Sequence, residues 1–354
     1  MDDFLQHWRA QLQIPPDARG CFYLGVKTSL YCAAICSILL LAACGARHRG
    51  TGKYYLLSAN IQLPYWRTAG AGFLEAARQL NLQAEFLGPE TYDPKAQQLE
   101  FERIAKSNPS GILVSPANPE LMKADIDAAV AAGIPVLTMD ADSPNSKRLL
   151  FIGTNNYQAG VMGAKVAVKE LHGKGAVVVF TIPAMANLND RLRGYRDTFA
   201  AYPGIQITRI VDIAGNPRLA FEAAEQIVSD RKTRVDGFVC LEAVAGKEVA
   251  EVLDRHNVKG KIVVAMDTDS GTLDWIKKGV IAATIAQKPY TMSYVGLTLL
   301  NSLHHHPPAS LELNWQTNPL APVPAFVDTG ATLIDRTSVD AFVAAQKSAT
   351  RSHR

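Results

Sequence analysis

Residues 111–142 read GILVSPANPELMKADIDAAVAAGIPVLTMDAD, and the fold turns on how this stretch divides. Gly111–Ser115 and Pro135–Met139 are short, apolar, β-rich runs, and Pro119–Ala132 between them is helical in pattern. Asn118-Pro119 supplies a cap and then a proline where a helix starts, and Gly133 before Ile134-Pro135 supplies the stop. Strand, single helix, strand is a βαβ unit, which requires a parallel sheet with helices on both faces.

The same rhythm runs outward in both directions. Upstream lie β-rich runs at Tyr54–Ser58 and Ala84–Leu87 and helical stretches at Trp66–Leu80 and Pro94–Lys106; downstream lies Leu149–Ile152. In the first helix Ala69, Phe73, Ala76, Ala77 and Leu80 share one face. After Asn155 the pattern restarts with a helix at Tyr157–Leu171. Strands follow at Ala176–Thr181, Gln206–Asp212, Gly237–Leu241, Ile262–Met266 and Ala282–Ala286. The helices between them are Asp190–Tyr202, Pro217–Asp230, Gly246–His256 and Asp269–Lys278. The reading is α/β: two similar doubly wound parallel-sheet lobes in series.

Composition supports folded lobes and excludes other classes. With 48% hydrophobic and 19% charged residues in 354, the chain is not mainly disordered. The net charge of +3 is matched or exceeded by Arg47, Arg49, Lys53, Lys347, Arg351 and Arg354 at the two ends of the body. The body itself is therefore mildly acidic, and a nucleic-acid-binding face is not indicated. Thr28 to Ala46 carry no charge, and the run ends in Leu41-Ala42-Ala43-Cys44-Gly45. That pattern resembles a bacterial lipobox, so residues 1–43 read as a lipoprotein signal peptide, Cys44 as the lipidated residue and 44–53 as a tether. An uncleaved membrane anchor is the alternative. Both readings put the body in the periplasm or at the cell surface, tied to a membrane. Of the five cysteines only Cys240 lies in the body, so no disulfide forms there.

No GxGxxG follows the first strand, no GxxxxGK[ST] occurs, and no Gly-x-Ser-x-Gly elbow is present, so no cofactor is indicated and no catalytic residue is assigned. His304-His305-His306 reads as a solvated helix end rather than a metal site. Ligands of such sheets sit beyond the carboxyl ends of the strands. The residues there are Asn60–Trp66, Asp140-Ala141-Asp142, Pro183–Arg191, Glu242-Ala243, Asp267-Thr268-Asp269 and Gln287. Asp, Asn, Gln and Arg can each engage vicinal hydroxyls, and an aromatic ring can lie against the C–H face of a pyranose. These types suit a polyol; the plainer reading is helix capping, which fits Asp269 before Ser270-Gly271-Thr272.

Seven segments in order carry a resemblance to the ribose/galactose-type periplasmic sugar-binding proteins, relatives of the LacI core with the type I periplasmic binding fold. They are Asn60–Trp66 followed by Gly72-Phe73, Ile134–Asp140, Asn187–Asp197, Asp236–Ala243, Val263–Asp267, Ala283–Tyr290 and Asp328–Ile334. The resemblance implies a ligand site of Tyr65, Trp66, Asp140, Asn187 or Asn189, Arg191, Glu242, Asp267 and Gln287. It also implies a hinge that closes on a sugar or polyol, and an ABC permease, chemoreceptor or sensor kinase as the membrane partner. An enzyme on the same fold remains the competing class. The chain is expected to be a monomer with three crossings, near Gly153–Asn156, Ala286–Pro289 and Pro319–Pro324. One lobe then comprises 54–154 and 287–320, the other 155–286 and 321–346, with a basic tail at 347–354.

Overall fold

The computed structural model describes residues 52–230, 232, 234–308 and 315–352. The segment read as signal peptide, Cys44 and most of the tether lie outside the described residues. The first lobe begins with β1 (Lys53–Leu57), α1 (Pro64–Leu80), β2 (Gln83–Leu87), α2 (Pro94–Lys106), β3 (Gly111–Val114), α3 (Pro119–Ala131), β4 (Val136–Met139) and β5 (Phe151–Gly153). The second holds α4 (Asn156–Glu170), β6 (Lys174–Thr181), α5 (Ala186–Ala200), β7 (Gly204–Asp212), α6 (Pro217–Ser229), β8 (Gly237–Cys240), α7 (Ala245–Arg255), β9 (Ile262–Met266), α8 (Ser270–Lys278) and β10 (Ala283–Ala286). The chain then returns as α9 (Pro289–His305) and ends with β11 (Phe326–Asp328), β12 (Thr332–Asp335) and α10 (Val339–Ser352).

The two sheets have the orders β11-β5-β4-β3-β1-β2 and β12-β10-β9-β8-β6-β7. Among the described residues every strand pair is parallel except β10 with β12. The central strands β3, β4 and β8 are buried at every residue, as parallel strands covered on both faces must be. In each order the sequence reverses direction beside β1 or β6, which opens a crevice at the strand ends there.

Local chemistry sets the helix starts. Asn118 accepts from the Leu121 N–H ahead of Pro119, and Asp269 accepts from the Gly271 and Thr272 N–H groups, so both cap as the sequence suggests. Helix α9 packs beside α1 on the first sheet. A Cβ at Gly72 would collide with the Tyr290 carbonyl oxygen, so the approach of these helices requires a glycine.

Two segments fall elsewhere than the sequence suggests. The third crossing is not at Pro319–Pro324: β11 pairs with β5 in the first sheet, and the chain crosses between Asp328 and Thr332. The boundary at 320/321 therefore shifts to the turn after Asp328. Strand β11 is three residues long on a sheet edge with Phe326 exposed, so it has none of the buried-strand patterning that marked the others. The basic end is not a separate tail either, since α10 runs through to Ser352. At the crossings, the Thr329 N–H and hydroxyl both donate to the Gly153 carbonyl at 2.8 and 3.0 Å. The Asn155 N–H donates to Asp328 Oδ1 at 3.1 Å.

Candidate functional site

A cavity of about 80 Å³ lies where the strand ends of the two lobes face each other. A single water needs roughly 10–15 Å³ on that scale, so the space suits a handful of waters or one small ring, not an oligomer. From the first lobe it is lined by Asn60, Tyr65, Trp66, Tyr92 and Asp140, and from the second by Asn187, Arg191, Glu242 and Asp267, with Gln287 at the second crossing. A larger open depression of about 610 Å³ runs along β7 and α5. It sits on the outer edge of the second sheet, away from the strand ends, and no carboxylate lines it.

The two aspartates occupy equivalent places, one residue past β4 and one residue past β9. Their backbones are left-handed, at φ 62° for Asp140 and 64° for Asp267. Aspartate tolerates this region better than bulky residues, and strained backbone of this kind concentrates at ligand sites. Asp140 Oδ1 accepts from the Tyr65 hydroxyl at 2.7 Å, and Asp267 Oδ1 accepts from Gln287 Nε2 at 3.0 Å. Tyr65 stands edge-on to Trp66, with ring centroids 5.1 Å apart at 83°.

Arg191 is 2% exposed and is the one cation lining the cavity. Its Nε donates to Asn156 Oδ1 at 2.9 Å, Nη1 to the Leu241 carbonyl at 2.6 Å and Nη2 to Gln287 Oε1 at 2.9 Å. It thereby ties the start of α4, the end of β8 and the second crossing together. Of five guanidinium N–H groups, two remain for a ligand. The Glu242 carboxylate accepts from the Val244 N–H at 2.7 Å and the Ala245 N–H at 2.9 Å, capping α7 while facing the cavity. Asn187 is 5% exposed, and its Oδ1 has no partner within the protein. A buried acceptor left in this state costs about 1–3 kcal/mol, which a ligand hydroxyl recovers.

Burial governs the charges. Asp267 is pushed up to about 7 by desolvation, against the pull of Arg191 and the Gln287 hydrogen bond, with Asp140 and Glu242 adding repulsion. Desolvation raises Glu242 to about 6, opposed by its two backbone donors and Arg191. Asp140 is raised for the same first reason, opposed by Arg191 and Tyr65. The Tyr65 hydroxyl lies well above its usual range, through burial and then the two aspartates, so it stays a donor. Buried Cys240 is likewise held as an unreactive thiol.

Of the residues singled out by sequence, the cavity gathers Tyr65, Trp66, Asp140, Asn187, Arg191, Glu242, Asp267 and Gln287. Asn189 stands outside it, exposed, with its amide donating to the Pro183 carbonyl at 3.0 Å. The sequence suggests a helix from Asp190, whereas α5 begins at Ala186. On a helix Asn187 and Arg191 are i and i+4 on one face, and Asn189 falls on the other. Asp142 is also turned away, into a two-point ion pair with Arg148 at 2.7 Å for each contact. Nothing in the sequence pattern marks Tyr92, which lines the cavity, or Asn156, which holds Arg191. Tyr92 sits in a loop between β2 and α2 without periodicity, and Asn156 reads as a helix start.

A profile described as a periplasmic binding protein domain matches residues 54–305. AraP, an arabinose binding protein from Geobacillus stearothermophilus, is 35% identical, with a TM-score of 0.67 over 82% of this chain and 98% of its own. A sugar-binding protein of a sugar ABC transporter from Bacillus halodurans is 32% identical, with a TM-score of 0.70 over 82% of this chain and 99% of its own. The xylose/arabinose-binding protein of Sulfolobus acidocaldarius is 23% identical over 314 residues, 84% of this chain and 74% of that protein.

Proposed function

The chain belongs to the periplasmic binding protein family, and from that premise we propose that it captures a monosaccharide or similar small polyol between its lobes and delivers it to an ABC-type importer. The observation that carries this reading is the buried polar set shared by both lobes: Asp140 with Tyr65 on one side, Asn187, Arg191 and Asp267 on the other. Neither half holds a complete site. The names of the similar proteins, arabinose-binding and sugar-ABC-transporter proteins among them, support a sugar. They also support binding without chemistry.

In this reading a lipid on Cys44 holds the protein at a membrane. The three short crossings restrict motion to one opening and closing mode, and hydroxyls paired by both lobes favour the closed form. A thermal-shift panel of pentoses, hexoses and polyols on residues 49–354 tests the reading. Stabilisation by a member that is recovered unchanged supports it; no stabilisation by any member, or release of a modified product, refutes it. Replacement of Cys44 by Ser releases the protein from the membrane fraction if the anchor is a lipid.

A further inference from the structure

Resting on the sugar reading above, the hydrogen-bond inventory of the cavity goes one step further. Three carboxylates, from Asp140, Glu242 and Asp267, face it, and Arg191 is the one cation among its lining residues. That guanidinium is already engaged at all three nitrogens by Asn156, Leu241 and Gln287. Asn187 adds an acceptor oxygen with no partner in the protein, and among the described residues the one side-chain donor to the Asp267 carboxyl, Gln287 Nε2, goes to Oδ1. Among the charged lining residues, carboxylates therefore outnumber cations three to one. A hydroxyl supplies one proton to such a surface. An ammonium supplies three and a full positive charge.

We propose that this cavity accepts an amino sugar, a monosaccharide with an ammonium in place of one hydroxyl, at least as well as the matching neutral sugar, and rejects the matching sugar acid. An ammonium beside Asp267 and Asn187 supplies the donors these groups lack and offsets the excess charge. It also relieves the burial cost that pushes Asp267 up to about 7 and Glu242 to about 6. A sugar carboxylate or phosphate meets the opposite situation. It would bring a fourth acidic group among three carboxyls in a dry cavity with one guanidinium, so it is accommodated only by taking up further protons or by like charges meeting, and both are unfavourable.

The test is titration calorimetry at pH 7 on the full-length protein in detergent, with neutral pentoses and hexoses, their amino-deoxy counterparts, and their uronic and aldonic acids. Expected is at least one neutral binder whose amino counterpart binds equally or more tightly, and acids weaker by a factor of at least about 100. Asp267→Asn should lower the ratio of amino to neutral affinity at least fivefold, and Asp140→Asn is the second variant should the first fail to fold. An acid binding within tenfold of its neutral counterpart overturns the proposal, as does an amino counterpart weaker than every neutral binder. If no sugar of any charge binds, the sugar reading itself falls, an outcome distinct from failed discrimination among sugars that do bind.

Discussion

Asp267 gives the sharpest test of how burial sets the energetics of the ligand-free protein. In the unfolded chain its carboxyl releases a proton near 3.8, whereas in the fold it holds the proton up to about 7. Between those values the folded state binds more protons, so stability falls as pH rises through the window. Below the lower value both states are protonated and the cost vanishes; above the upper value it is fully present. At about 1.36 kcal/mol per pH unit the cost at pH 8 is roughly 4 kcal/mol. Asn in this place has no titratable proton, and its amide oxygen can still accept from Gln287 Nε2. Arg191 loses part of its compensating charge, which reduces the gain. Asp267→Asn should therefore stabilise the ligand-free protein by roughly 2–4 kcal/mol at pH 8 and by less than about 1 kcal/mol at pH 4. For a chain of this size that is a rise in midpoint on the order of 5 °C at pH 8. Scanning calorimetry of both proteins at pH 4, 6, 7 and 8 reads the difference directly. A shallower slope remains in the variant, because Glu242, raised to about 6, still titrates. Parallel curves for the two proteins, or a variant less stable at pH 8, would refute the assignment of the cost to Asp267.

Asn187→Ala should weaken sugar binding up to about tenfold by calorimetry, whereas Asn189→Ala, on the opposite face of α5, should leave it unchanged. Gly72→Val should cost at least about 1–3 kcal/mol in urea unfolding, because the added side chain meets the Tyr290 carbonyl across α1 and α9. Asp142→Ala should destabilise by about 3 kcal/mol, since it strands buried Arg148, yet leave the ligand spectrum as it was.

Much of the architecture is legible in the sequence because parallel strands covered on both faces must be continuously apolar. Runs such as Val136–Met139 and Gly237–Cys240 show that directly, and prolines and asparagines mark the helix starts between them. The strand-end aspartates are legible for the same reason: the last apolar residue fixes where the side chains leave the sheet. What the sequence hides is direction. Asp140 and Asp142 are two residues apart after one strand, and only the left-handed backbone at Asp140 and the ion pair to Arg148 decide which one faces the cavity. The first turn of α5 is equally hidden. It opens at Met185, which makes no side-chain cap, so nothing in the letters separates Asn187 from Asn189 until the helix phase is known. Strand β11, three residues on an edge, lies below the length at which periodicity carries information.

The late return of the chain to the first lobe also constrains when that lobe can be finished. Its opening strands and helices come first in synthesis, but α9, which covers one face beside α1, and β11, which completes the edge beside β5, come after the whole second lobe up to β10. The second sheet in turn waits for β12. Neither lobe can be completed one after the other as the chain emerges from its N-terminus, since each needs residues made near the end. The full strand pairing of either sheet is therefore available only after the last segments of the chain have been made.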